Sequence, residues 1–391
     1  MRVTTIITRL EGGAGLLALR GVLALAGDDV EPLIIAGSGG RLVDEAAGHG
    51  VEVMVEPMLR PVIAPRADLG AVRWLTAELA ARRPDVVHTH CAKGGAIGRT
   101  AARRAGIHRI VHTYHGFPFH EFQSAARRGA YVAAERRLGR FTDAGLCVGT
   151  GVAVEAIRRR LIAPERVRTI GVTVGEASRP AASPAAAAAA RRAARKRLGI
   201  PEEEIVVGAV GRLTYQKAPE DFVAAIRLLA RPQVTGVWVG GGELAGPMAR
   251  RAAACGQRIV LTGERDDISE LLPAFDAFAL PSRYEGLPTA VAEAMAAGIP
   301  VVATAVNAVA DLVEPGVSGL LVPPARPDLL AAGIRHLLDA PRHAAAMAAQ
   351  ARTRIGQRYG PQALRGALSE VYQPDRAYCP APDTVTGVKL D

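Results

Sequence analysis

The chain has 391 residues, 49% of them hydrophobic and 22% charged, which excludes wholesale disorder and, at about 150 residues per domain, points to two units. Its net charge of +10 leaves four readings open: a nucleic-acid partner, an anionic membrane surface, anionic substrates, or an arginine-rich surface with no special role. No uninterrupted apolar run reaches about 18 residues, so nothing reads as a membrane span, and Arg9, Glu11 and Arg20 break every N-terminal stretch before it becomes a signal sequence.

In chain order the first half reads as a strand over 3–8, a helix over 16–26, strands over 33–36 and 51–55, and a helix near 72–81. A strand over 85–89, a helix over 96–105 and a strand over 109–113 follow. These strands are continuously apolar rather than alternating, as parallel strands covered on both faces should be. The pattern breaks after Ile170, where residues 176–190 carry proline turns and then an alanine run, followed by a basic helix start over 191–198. It resumes with strands over 205–210, 234–239, 258–262, 277–280, 300–303 and 319–322, and helices over 220–229, 244–254 and 289–297. The expected fold is α/β, with two Rossmann-like, doubly wound parallel-sheet domains. They are placed at residues 1–175 and 196–355, with a linker over 176–195 and, over 356–391, a helix returning to the N-terminal domain plus a tail. Ligands of such sheets bind beyond the carboxyl ends of the strands, so the site belongs in the cleft between them. Cys91, Cys147, Cys255 and Cys379 show no CxxC spacing and no zinc-like Cys/His cluster, and reduced thiols in a cytoplasm are the expectation.

Two constellations carry chemistry. The strand ending at Val210 runs into Gly211-Arg212-Leu213-Thr214-Tyr215-Gln216-Lys217, and a helix begins at Pro219. A glycine lets the chain turn off the strand, and an arginine fork and a lysine follow at the mouth of the cleft. Fixed cations there suit a diphosphate, because they neutralise charge building on a departing phosphate. The plain alternative is an exposed loop with two surface cations. The second constellation is Pro281-Ser282-Arg283-Tyr284-Glu285-Gly286-Leu287-Pro288-Thr289, then Glu293-Ala294-Met295-Ala296-Ala297-Gly298-Ile299-Pro300-Val301. With Pro288 as the first helical residue, the helix N-terminus faces the cleft and offers free N–H groups and a positive dipole end to an anion. Glu285 and Glu293 beside such a site are unfavourable unless they accept hydrogen bonds from hydroxyls, which sugars and riboses supply. Two solvated glutamates are the alternative.

These blocks, with Gly240-Gly241-Gly242-Glu243-Leu244 and Leu261-Thr262-Gly263, resemble the C-terminal half of the retaining GT-B glycosyltransferases of the large bacterial family four, whose hallmark is the paired glutamates. The N-terminal half is similar too, through Glu11-Gly12-Gly13, His88-Thr89-His90 and His112-Thr113-Tyr114-His115-Gly116-Phe117-Pro118-Phe119. The resemblance implies that Arg212 and Lys217 bind the diphosphate of a nucleotide-sugar donor and that Glu293 accepts from its ribose. It implies that Glu285, with the backbone of Gly286, Leu287 and Thr289, holds the transferred sugar, and that Arg265 falls where main chain contacts the base. Gly13 would admit the phosphates and His115 would sit beside the anomeric carbon, Glu285 and His115 being the catalytic pair. No cofactor and no metal are implied, cationic side chains and the helix dipole standing in, and the mechanism is front-face displacement. A UDP-sugar is favoured over a GDP-sugar, with UDP-N-acetylglucosamine and UDP-glucose as first trials, and the hydroxyl acceptor is a lipid-linked saccharide or a small molecule. Lys93 and Tyr114 are the candidate acceptor contacts.

Competing readings remain. Gly13-Ala14-Gly15-Leu16-Leu17-Ala18 satisfies a dinucleotide G-x-G-x-x-A pattern, but Ala36-Gly37-Ser38-Gly39 stands where its acidic residue belongs. His88, His90 and His112 lie at strand ends with no carboxylate at ligand spacing, which favours packing or acceptor contact over a metal. A nucleotide-sugar epimerase would release an altered sugar without any acceptor, and a non-catalytic nucleotide-sugar-binding protein would tolerate loss of Glu285. Residues 99–168 hold 14 basic and 5 acidic residues, so nearly all the excess charge lies there. With Phe122, Tyr131, Val132 and Leu138 on the same helices, that stretch offers a basic face to anionic lipid at the inner side of a membrane, to an anionic acceptor, or to solvent alone. At 4% aromatic, nucleic-acid binding is disfavoured.

Overall fold

The structure, a computed structural model, describes residues 1–27, 30–119, 123–171, 174 and 183–373. Its first sheet contains β1 (Arg2–Ile7), β2 (Glu31–Ala36), β3 (Glu52–Val55), β4 (Val86–His90), β5 (Arg109–Tyr114), β6 (Ala144–Cys147) and β7 (Val167–Thr169), in the order 3-2-1-4-5-6-7. Its second contains β8 (Ile205–Val210), β9 (Val234–Val239), β10 (Ile259–Leu261), β11 (Ala277–Leu280), β12 (Val301–Thr304) and β13 (Leu320–Val322), in the order 10-9-8-11-12-13. Every pairing is parallel. The central strands are Val/Ile/Ala-rich and buried on both faces, β9 along its whole length, because helices cover each side. The strand order reverses between β1 and β4 in one sheet and between β8 and β11 in the other, and both crevices open at the carboxyl ends.

β6 and β7 carry no strand signal in the sequence. Ala-Gly-Leu-Cys and Val-Arg-Thr are short and mostly poor β-formers, and pairing with β5 and then with each other makes them strands. The 176–195 segment also departs from a linker. Residues 176–182 lie outside the described residues, but Pro184–Leu198 is a helix capped by Ser183 Oγ, which accepts from Ala186 N at 3.2 Å, and closed by left-handed Gly199. Arg191 and the buried Arg195 of this helix reach the two oxygens of Asp276 at 2.7 and 2.9 Å, which binds it to the second sheet.

The chain returns at its end. Helix Pro341–Arg358 packs on helix Thr289–Ala296 of the second half, whereas helix Pro361–Tyr372 lies against the first helix, Gly12–Leu25. Leu364, Leu368, Val371 and Tyr372 are buried there, each worth about 1.5–3 kcal/mol of apolar transfer. Arg109 Nε and Nη2 donate to Val371 O at 2.9 and 2.6 Å, placing a cation on the C-terminal carbonyls of that helix. The tail after Gln373, with Cys379, lies outside the described residues.

Candidate functional site

At the carboxyl edge of the second sheet three loops interleave. Gly211 follows β8 and Gly240 follows β9, and a Cβ on Gly240 would come within 2.2 Å of Gly211 O, so only glycine fits this approach. Trp238 Nε1 donates to Gly211 O at 2.8 Å, and Leu213 N to Gly241 O at 2.7 Å. The following turn carries Lys217 under the loop beyond β11, where its Nζ meets Glu285 Oε1 at 2.6 Å. Ser282 Oγ donates to the same oxygen at 2.5 Å, and Glu285 N donates to Asn307 Oδ1 at 2.9 Å. Glu285 is 8% exposed, so a buried carboxylate is held by a cation, a hydroxyl and an anchored backbone. Arg212, on the same loop, is exposed.

Helix Thr289–Ala296 starts just beyond Glu285. Pro288 is its extended N-cap rather than its first helical residue, so the free N–H groups begin one residue later than the sequence suggests. This N-terminus meets the first half: a Cβ on Gly13 would lie 2.9 Å from Thr289 Oγ1. Glu293, one turn on, is pushed up to about 7 by burial, because no cation is supplied to it. A carboxyl of that kind accepts a hydroxyl hydrogen bond readily only once ionised.

Facing this edge, β5 runs out at Tyr114 and delivers His115, whose carbonyl oxygen would sit 2.0 Å from a Cβ on Gly286. The two halves therefore touch backbone to backbone beside Glu285. Burial holds His115 at about 4 and His88 at about 3, with His90 and His112 also far below the usual imidazole range, so these four rings are uncharged at neutral pH. His90 Nδ1 lies 2.9 Å from His115 Nε2. A second junction runs through Asp311, whose Oδ2 accepts from Thr150 N at 2.5 Å and caps helix Thr150–Arg158 from the other half.

The geometry thus brings Gly13, His115, Lys217, Glu285, Gly286, Leu287 and Thr289 to one cleft, with Arg212 exposed on the loop after β8 and Glu293 further along helix Thr289–Ala296. Other expected residues have side-chain partners of their own. Tyr114 is 2% exposed, its ring edge against His112 and under the Arg99 guanidinium at 5.9 Å, so it packs the first half rather than meeting an acceptor. Lys93 Nζ pairs with Asp68 Oδ1 at 2.6 Å and donates to Val62 O, which occupies it in pinning the loop after β3. Arg265 closes a fork on Asp267 two residues on, at 2.7 and 2.5 Å, which ties its guanidinium down beside the 263–265 turn. On the basic stretch, Val132 and Leu138 point inward and are buried, leaving Arg136, Arg137 and Arg140 outward. Phe122 lies outside the described residues. Sequence reasoning passed over Ser282, Gln216 and Asn307 as ligands of Glu285 and its loop. Their only signal was proximity to the glutamate in sequence for Ser282, and none for Asn307. Among the described residues no group of three metal-ligating side chains is assembled, and no helix is long and apolar enough to cross a membrane.

Comparison with known proteins adds a second line of observation. Residues 11–174 match the family model described as Glycosyltransferase Family 4, and residues 190–354 the model described as Glycosyl transferases group 1. An Escherichia coli UDP-Gal:alpha-D-GlcNAc-diphosphoundecaprenol alpha-1,3-galactosyltransferase is 30% identical over 281 residues, 70% of this chain and 71% of that one. A D-inositol 3-phosphate glycosyltransferase of Thermobispora bispora is 32% identical over 313 residues, 74% and 70% of the two chains. Among solved structures, Anabaena HepE in complex with UDP-glucose superposes with a TM-score of 0.82 at 22% identity, covering 96% of this chain and all of that one, a likeness of fold.

Proposed function

The chain belongs to the family 4, group 1 glycosyltransferases and has their GT-B fold, and from that premise we propose that it moves a sugar from a UDP-sugar to a hydroxyl acceptor with retention of anomeric configuration. The observation that carries this reading is the cleft in which Lys217–Glu285, the N-terminus of helix Thr289–Ala296, Gly13 and His115 converge. The donor's diphosphate lies between Arg212, Lys217 and that helix N-terminus, whose fixed positive charge and N–H groups neutralise the leaving group. A metal is not required for that charge balance. Glu293, once ionised, accepts from the ribose hydroxyls. Glu285 accepts from hydroxyls of the transferred sugar, a role its buried oxygens can fill because Lys217 and Ser282 hold it in place.

Transfer then proceeds on one face of the sugar. The acceptor hydroxyl oxygen bonds to the anomeric carbon, the bond from that carbon to the diphosphate oxygen breaks, and the released diphosphate takes the acceptor's proton. The neutral histidine edge suits this division of labour, since at about 4 His115 stays uncharged and a charged base is supplied by the leaving group itself. UDP-glucose and UDP-N-acetylglucosamine are the first donors to try, and the acceptor is a lipid-linked saccharide or a small hydroxyl compound. Isothermal titration with UDP and with GDP tests the donor: tighter binding of UDP is expected, and binding of neither overturns the assignment.

A further inference from the structure

β4 ends in His88-Thr89-His90, and alternation along a strand puts His88 and His90 on the same face. His88 is clamped from both sides, its Nδ1 2.6 Å from the Tyr372 hydroxyl and its Nε2 2.7 Å from Thr113 Oγ1. The His90 ring lies against it, centroids 4.2 Å apart, and is 3% exposed. From that fixed position His90 Nδ1 reaches His115 Nε2 at 2.9 Å. The C-terminal helix, through Tyr372, thus buttresses a short ladder of rings that ends at the histidine beside the cleft.

Both rings of the last rung are neutral, because burial disfavours the imidazolium. A hydrogen bond between two neutral imidazoles holds one proton, so the ring that donates it dictates the tautomer of the other. His115 is half-buried beside the cleft, whereas His90 is 3% exposed and borders a small cavity under the first helix with Thr5 and mostly apolar side chains. An unpaired N–H is tolerated there less well than an unpaired lone pair, which favours the proton on Nδ1 of His90.

We propose that His90 is a positioning residue: it donates Nδ1–H to His115 Nε2, holds His115 in its Nδ1–H form, and makes His115 a hydrogen-bond donor to substrate rather than a base. The inference rests on the placement of His115 beside the reacting carbon given above. It assigns a task to a histidine whose sequence context suggested only packing or acceptor contact, and it explains why the released diphosphate, rather than His115, takes the acceptor's proton.

The test reads the tautomer directly. In 15N NMR of the imidazoles of the full-length protein, with His115 assigned by its loss in His115→Gln, the His115 proton is expected on Nδ1. His90→Asn, whose amide N–H falls where Nδ1–H was, keeps that form, whereas His90→Asp, an acceptor only, moves the proton to Nε2. In transfer assays His90→Asp lowers kcat by about tenfold or more with donor KM within about threefold, and His90→Asn recovers most of it. Should the aspartate variant not fold, His90→Ala replaces it with the same expected loss of kcat. A wild-type His115 protonated on Nε2, or equal kcat for the asparagine variant and the variant lacking a donor, overturns the proposal. A fully active His115→Gln instead overturns the placement of His115 itself, whichever tautomer is found.

Discussion

The two sheets share a topology and differ at their carboxyl edges. The second ends in charge: Lys217 on Glu285 at 2.6 Å, with the ionisable Glu293 behind them. The first ends in four histidines that burial keeps neutral, and its most deeply buried ion pair among the described residues, Arg99–Glu135 at 2.8 Å, lies between helices Ala92–Arg104 and Ala125–Gly139. One parallel-sheet architecture therefore supports an edge centred on an ion pair and an edge centred on neutral imidazoles, and the chemistry follows from which side chains the loops deliver rather than from the fold.

The contrast makes ion pairs in the two halves separable. Removing the carboxylate of the ionic edge by Glu285→Ala is expected to lower kcat about 1000-fold, near 4 kcal/mol of transition-state stabilisation, while UDP affinity measured by titration changes by less than about fivefold. Equal loss of UDP binding would mean that Glu285 holds nucleotide rather than sugar. The hidden pair should behave in the opposite way. Arg99→Leu strands Glu135, 5% exposed, and is expected to cost about 3 kcal/mol in a urea unfolding experiment with UDP affinity unchanged. A variant of unaltered stability and weakened donor binding would erase the distinction between a functional and a structural pair.

The smallest effect concerns Glu293. Its folded pKa, about 7, lies above the ordinary 4.5, so the folded state binds the extra proton in that window. Stability from this group is complete below pH 4.5 and is lost as pH rises through 7. The melting temperature of the wild type is therefore expected to fall relative to Glu293→Gln between these two values, by a few degrees. Parallel pH profiles would show that the carboxyl is not desolvated as the geometry indicates.

Much of this organisation is legible in the residues. The apolar strand runs announce two parallel sheets, because a strand covered on both faces needs no polar alternation. Gly211 to Lys217 and Pro281 to Glu293 mark the ionic edge, since glycine turns, cations and a helix start are local signals. β6, β7 and the helix over Pro184–Leu198 were harder. Their sequences are weak or ambiguous strand and linker patterns, and it is pairing with β5 and the grip of Asp276 on Arg191 and Arg195 that settles them.

Local sequence, then, determined the fold class, most strands of both sheets and the loop motifs at the carboxyl edge of the second, all of which depend on neighbours within a few residues. Only the tertiary structure decided which cation holds Glu285, that Asn307 anchors its loop, that Lys93 and Tyr114 are occupied within the first half, and that His90 meets His115. Those contacts join residues on separate loops or strands, up to 68 apart for Lys217 and Glu285, and a hydrogen bond of 2.6 Å between them exists only once β8 and β11 have paired side by side and excluded water around it.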